Sequence, residues 1–149
     1  PTPAPVIIRS TRDDDEGPAT EFEMTLLSGE GFVLSDLKRS VVVLNFWASW
    51  CPPCRREMPV FEQAQQERDD VTFVFVNQGE NLSTVNAFLQ QESLALDNVY
   101  LDRNNALGHE VGAMAMPTTL YYNADGQLVS THFGELSRAT LQDGLSRIR

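Results

Sequence analysis

The stretch Val41-Val42-Val43-Leu44-Asn45-Phe46-Trp47-Ala48-Ser49-Trp50-Cys51-Pro52-Pro53-Cys54 decides how the chain must fold. Its first seven residues form an apolar run rich in β-branched side chains, broken only by Asn45, as expected of a strand buried on both faces. Two prolines then stand where a first helical turn tolerates them, because the N–H groups they lack would have no intrahelical acceptor. Residues 55–68 read as the helix that follows. Cys51 therefore sits where a buried strand hands over to a helix. Unpaired N–H groups and the positive end of the helix dipole would face its sulfur and favour the thiolate. Cys54, three residues on, projects from the same helix face and can attack a mixed disulfide formed on Cys51. A disulfide closing so short a loop removes only about 2 kcal/mol of chain entropy from the unfolded state. The pair is poorly explained as a staple and well explained as a redox couple.

Working outward, residues 71–76 repeat the buried-strand pattern, and residues 83–91 read as a helix. A short strand near 98–101 and a short helix near 104–110 follow. Thr118–Tyr122 and Leu128–Phe133 flank Asn123-Ala124-Asp125-Gly126, a hairpin signal in which Gly126 can supply a positive φ. Ser137 is a suitable N-cap for a last helix ending near Ile148. On the N-terminal side, apolar segments 22–27 and 32–34 flank Ser28-Gly29-Glu30-Gly31 and predict a β-hairpin extension. Residues 1–20 contain four of the eight prolines and the acidic run Asp13-Asp14-Asp15-Glu16, and are expected to form a flexible tether to a domain spanning 21–149. Strands alternating with helices, closed by an antiparallel hairpin, imply an α/β domain with a mixed central sheet flanked by helices.

The 149 residues suit one domain that buries roughly 70% of its unfolded surface. A formal net charge of −10 argues against a nucleic-acid partner, since phosphate binding requires a basic patch. The longest apolar stretch, Val41–Trp47, is too short to span a bilayer. The chain begins at Pro1 with no visible signal peptide, so a targeting segment is expected to have preceded it.

The sequence resembles the thioredoxin superfamily. The resemblance is carried by 45–54, by Pro59 five residues beyond Cys54, by Met116-Pro117-Thr118-Thr119 and by Gly134, and it covers about residues 22–148. Within that superfamily it is similar to the membrane-tethered extracytoplasmic branch called TlpA-like or ResA-like, which includes the CcmG-like thioredoxins of cytochrome c maturation. Cys54-Arg55-Arg56-Glu57-Met58-Pro59, Val76-Asn77-Gln78-Gly79-Glu80 and Asn123-Ala124-Asp125-Gly126 carry that second likeness.

The resemblance implies a thioredoxin-like fold and an enzyme that reduces disulfides of extracytoplasmic proteins, without cofactor or metal. It also implies a periplasmic or extracytoplasmic monomer, tethered through a preceding segment and supplied with electrons by a membrane thiol donor of the DsbD/CcdA type. An oxidase or isomerase, or a binding or chaperone module that keeps the fold, are the alternatives. Cys51, Cys54 and Glu57 would be catalytic. Trp50, Pro52, Met116, Pro117 and Thr118 would bind substrate, with the Met116–Pro117 bond cis beside the cysteines.

Cytoplasmic thioredoxins carry a buried Asp where this chain has Asn45, which cannot shuttle a proton. Glu57, three residues after Cys54, can lie beside it on one helix face, and the matching residue of the ResA-like branch is thought to assist thiol chemistry. The plainer reading of Glu57 is a solvated charge. Trp47 is expected to pack in the core. His109 and His132 lack zinc-finger spacing and read as ordinary residues. Arg55 and Arg56 read as solvated charges, and Asn81-Leu82-Ser83 as a chance sequon.

Overall fold

The computed structural model describes residues 8–10, 22–25, 31–33, 41–102, 105–113 and 115–148. Two sheets are present among them. Strands β1 (Ile8–Ser10), β2 (Phe22–Thr25) and β3 (Gly31–Val33) form a small antiparallel sheet in the order β1-β2-β3, with Met24 opposite both Ile8 and Phe32. The turn expected at 28–30 lies outside the described residues, as does most of the segment 1–20 expected to be a tether; its described part, Ile8–Ser10, is a strand paired with β2.

The second sheet holds the core. It consists of β4 (Val41–Trp47), β5 (Val71–Gln78), β6 (Val99–Asp102), β7 (Thr118–Tyr122) and β8 (Leu128–Phe133), in the order β6-β5-β4-β7-β8. The β4–β5 and β5–β6 pairs are parallel; β4–β7 and β7–β8 are antiparallel. Helices α1 (Pro52–Glu67), α2 (Leu82–Gln91), α3 (Ala106–Val111) and α4 (Arg138–Ser146) flank it, giving the thioredoxin-like α/β architecture with a mixed sheet. Six of the seven β4 residues are buried, as a strand covered on both faces requires.

Direct β4–β7 partners share a face, so Val43 and Asn45 lie beside Tyr121 and Thr119. Helices α1 and α4 cover this face. Phe61 of α1 meets Phe73 and Phe75 edge-on, at centroid distances of 6.2 and 5.4 Å. Gly144 of α4 lies against the Tyr121 ring, where an added Cβ would be 2.6 Å from Cζ. Each long helix starts on a side-chain cap: Asn81 accepts from the Thr84 N–H, and Ser137 from the Thr140 N–H. Gly126 turns the β7–β8 hairpin at φ +83°. The short α3 is capped from a distance, by the buried Asp102 carboxylate, which accepts from the amides of Leu107 and Gly108.

Candidate active site

Cys51 ends the turn that follows β4 and is the N-cap of α1; Pro52 and Pro53 open the helix. Cys51 and Cys54 are joined by a disulfide with a Cα–Cα distance of 5.2 Å. The Cys54 N–H points at the Cys51 sulfur at 3.4 Å, one of the first-turn donors that have no carbonyl partner within the helix. Cys54 is fully buried and Cys51 is 3% exposed, so Cys51 is the residue nearer to solvent. Pro59, inside α1, cannot donate to the carbonyl of Arg55 one turn back.

The turn before Cys51 is held by Glu80, from the segment after β5. Its carboxylate accepts from the Ser49 amide (2.8 Å), the Ser49 hydroxyl (2.6 Å) and the Asn77 side-chain amide (2.8 Å). Trp50, at the crest of that turn, is 66% exposed, whereas Trp47 is fully buried and packs on Phe88. Pro52 is exposed beside it.

Glu57 is the least ordinary group in the site. It is fully buried one turn beyond Cys54, on the helix face the two share by their spacing. One oxygen accepts from the side-chain amide of Asn45 at 2.8 Å, the other from the Leu136 backbone N–H at 3.0 Å. Asn45 also reaches Thr119 Oγ1 at 3.2 Å. Burial disfavours the carboxylate more than these donors favour it, and pushes the Glu57 pKa up to about 7. The solvated-charge reading of Glu57 therefore does not describe this residue.

The Met116–Pro117 bond is cis, and the Pro117 carbonyl accepts from the Gly134 N–H at 2.9 Å. Pro117 is buried and Met116 half-buried. Thr118 is buried too, and its hydroxyl donates to the Ala115 carbonyl, closing the turn that presents Met116. Met116 and Trp50 line one cleft of about 350 Å³ together with Gln78, Asn105 and His109. Arg55 lies over the Phe88 ring and pairs with Glu92, while Arg56 pairs with Glu135. Among the described residues neither guanidinium makes a polar contact with a cysteine.

Sequence reasoning assigned no role to Leu136 or Glu135, and named Glu80 only within a family motif, without its hold on Ser49. Glu80 and Glu135 look like ordinary surface acids, and Leu136 acts through its backbone, which no residue type announces. Asn45 was singled out only for what it cannot do.

A redox-active cysteine pair at the head of a helix, over a mixed sheet with a buried acid behind it, defines a thiol–disulfide oxidoreductase of thioredoxin-like fold. The Redoxin family model matches residues 12–145. The thioredoxin-like protein YneN of Bacillus subtilis is 32% identical over 131 residues, covering 85% of this chain and 76% of YneN. The thiol–disulfide oxidoreductase ResA of Halalkalibacterium halodurans is 30% identical over 133 residues, covering 88% of this chain and 75% of that protein. Among solved structures, dsbF of Mycobacterium tuberculosis superposes with a TM-score of 0.80 at 25% identity, covering 88% of this chain and 98% of dsbF. A secreted disulfide oxidoreductase of the same organism, homologous to the Escherichia coli DsbE, gives 0.76 at 25% identity, covering 87% and 98%. The chain belongs to the Redoxin family, in the ResA/CcmG-like part of the thioredoxin superfamily. It is a thiol–disulfide oxidoreductase of the ResA/DsbE type that carries a Cys51–Cys54 disulfide.

Proposed function

We propose that the chain works as a reductase of extracytoplasmic protein disulfides, as a monomer, with electrons drawn from a membrane thiol donor of the DsbD/CcdA type. In the reduced chain the Cys51 thiolate attacks one sulfur of the substrate disulfide. A Cys51–substrate disulfide forms, and the other substrate sulfur leaves as a thiolate that takes up a proton from water. Cys54, losing its proton to Glu57, then attacks the Cys51 sulfur. The Cys51–Cys54 disulfide forms, the second substrate sulfur departs and takes up a proton, and two electrons have passed to the substrate. Trp50, Pro52, Met116 and Pro117 form the surface that receives the extended substrate strand, with Thr118 holding their turn. The half-buried Met116 adapts to varied partners.

The observation that carries this reading is the buried Glu57 carboxylate on the Cys54 face of α1, poised to hold or release a proton near neutral pH. The secreted relative supports the compartment. No helix among the described residues is long and apolar enough to cross a membrane.

The Cys51–Cys54 reduction potential tests the direction. A value well below about −200 mV is expected, and one near about −120 mV would make the chain an oxidant instead. Catalysis of insulin reduction by dithiothreitol, lost in Cys51→Ser, separates the enzyme from a binding module.

A further inference from the structure

The segment that follows β8 is tied down at three successive residues. The Gly134 N–H donates to the Pro117 carbonyl (2.9 Å), Glu135 pairs with Arg56 (2.9 Å), and the Leu136 N–H donates to Glu57 (3.0 Å). The last two ties form a matched pair. Arg56 precedes Glu57 on α1, and Glu135 precedes Leu136 on the strap. An exposed ion pair therefore lies one residue outside each end of the buried Leu136–Glu57 hydrogen bond. With side chains 60% and 39% exposed, such a pair contributes little to stability. Its location is what distinguishes it.

We propose that Arg56 and Glu135 are positioning residues that set the electrostatic environment of Glu57, and with it the proton transfer from Cys54, by holding opposite charges over the strap that covers the Glu57 carboxylate. This rests on the reading of Glu57 as the proton acceptor. The mechanism is one of field rather than of contact. Glu57 is fully buried, so charges just outside the strap act on it with less screening than between two surface groups. The Glu135 charge opposes the Glu57 anion; Arg56, ion-paired with Glu135, would offset it by Coulomb's law.

The other groups around Glu57 are few among the described residues. Asn45 of β4 and Thr119 of β7 are neutral. Tyr121 of β7 carries a buried hydroxyl that feels Glu57 and, from α4, Asp143. His132 of β8 contacts the Glu135 carbonyl, and Arg138 of α4 pairs with Glu67. On α1 itself, Cys54 precedes Glu57 by one turn.

The test is carbon-detected NMR titration of the Glu57 carboxyl in the oxidised full chain, for wild type, Arg56→Gln, Glu135→Gln and the double variant. Losing Arg56 leaves Glu135 uncompensated, so the Glu57 midpoint rises; losing Glu135 leaves Arg56, so it falls. Each shift should reach about 0.3 pH unit, and both should shrink in about 0.5 M salt. The double variant should lie between the singles. Either single variant breaks the ion pair, so a purely mechanical clasp would move both midpoints in the same direction. That result, or no movement in either, overturns the proposal. The readout needs no turnover: if Glu57→Gln left disulfide resolution unchanged, the catalytic reading would fail while these titrations still reported on the charge pair.

Discussion

The side-chain amide of Asn45 donates to the Glu57 carboxylate across 2.8 Å, joining the central strand of the sheet to the helix that carries both cysteines. The residue that cannot shuttle a proton thus holds a carboxyl that titrates near neutral pH. Glu57 keeps its proton up to about pH 7 in the folded chain, against 4.5 for an ordinary glutamate. Between those values the folded chain binds more protons than the unfolded one, so stability falls as pH rises and levels off above the upper value. The loss should total about 3 kcal/mol. Urea denaturation of the oxidised chain across this range should show the slope, and Glu57→Gln should flatten it. Parallel curves for the two proteins would contradict the buried-acid assignment. In stopped-flow measurements the same variant should slow resolution of a Cys51 mixed disulfide by about 10²-fold or more.

Cys51 should be the attacking sulfur. It is the more exposed of the pair and caps the helix, where first-turn N–H groups stabilise its anion. In the reduced chain, alkylation rates against pH should titrate below the ordinary thiol value of about 8.5, and Cys51→Ser should abolish that titration while Cys54→Ser preserves it. Cys54→Ser should accumulate mixed disulfides with substrate. Faster alkylation of Cys54 than of Cys51 would reverse the roles.

Glu80 should anchor the turn that leads into Cys51. Its carboxylate accepts from three groups, two of them on Ser49. Glu80→Ala leaves those donors without their acceptor and should cost about 2–3 kcal/mol, with Glu80→Gln costing less. A double-mutant cycle with Ser49→Ala should return a coupling of about 1 kcal/mol. Additive effects would show that the two residues do not depend on each other.

Gly144 should resist the substitution that usually stabilises a helix. Alanine normally gains up to about 1 kcal/mol over glycine in a helix interior. Here the added methyl would meet the Tyr121 ring at 2.6–2.9 Å, with the ring itself held by the sheet. Gly144→Ala should therefore destabilise by about 1–3 kcal/mol in thermal denaturation. A stabilised variant would mean that α4 can shift off the sheet at little cost.

The elements of the main domain were legible because their signals are local. The apolar run before the cysteines, the prolines after Cys51, Ser137 as a cap and Gly126 in a turn each act within a few residues of themselves. Thr118–Tyr122 and Leu128–Phe133 form strands over the bounds expected for them. The first helix starts at Pro52 rather than at 55, because two prolines at its start cost it no hydrogen bond. Residues 83–91 extend back to Leu82 because Asn81, not a residue further on, supplies the cap.

A cysteine pair at the junction of a buried strand and a helix is readable from residues 41–54 alone, and it suffices for thiol–disulfide chemistry. What surrounds that pair depends on packing between distant segments. Glu57 is buried rather than solvated because Asn45, 12 residues away, and the Leu136 amide, 79 residues away, converge on it. Glu80 reaches Ser49 across 31 residues. Periodicity and turn chemistry report on neighbours a few positions apart, whereas the desolvation that raises a pKa and the donors that oppose it are supplied by whatever the packed fold brings together.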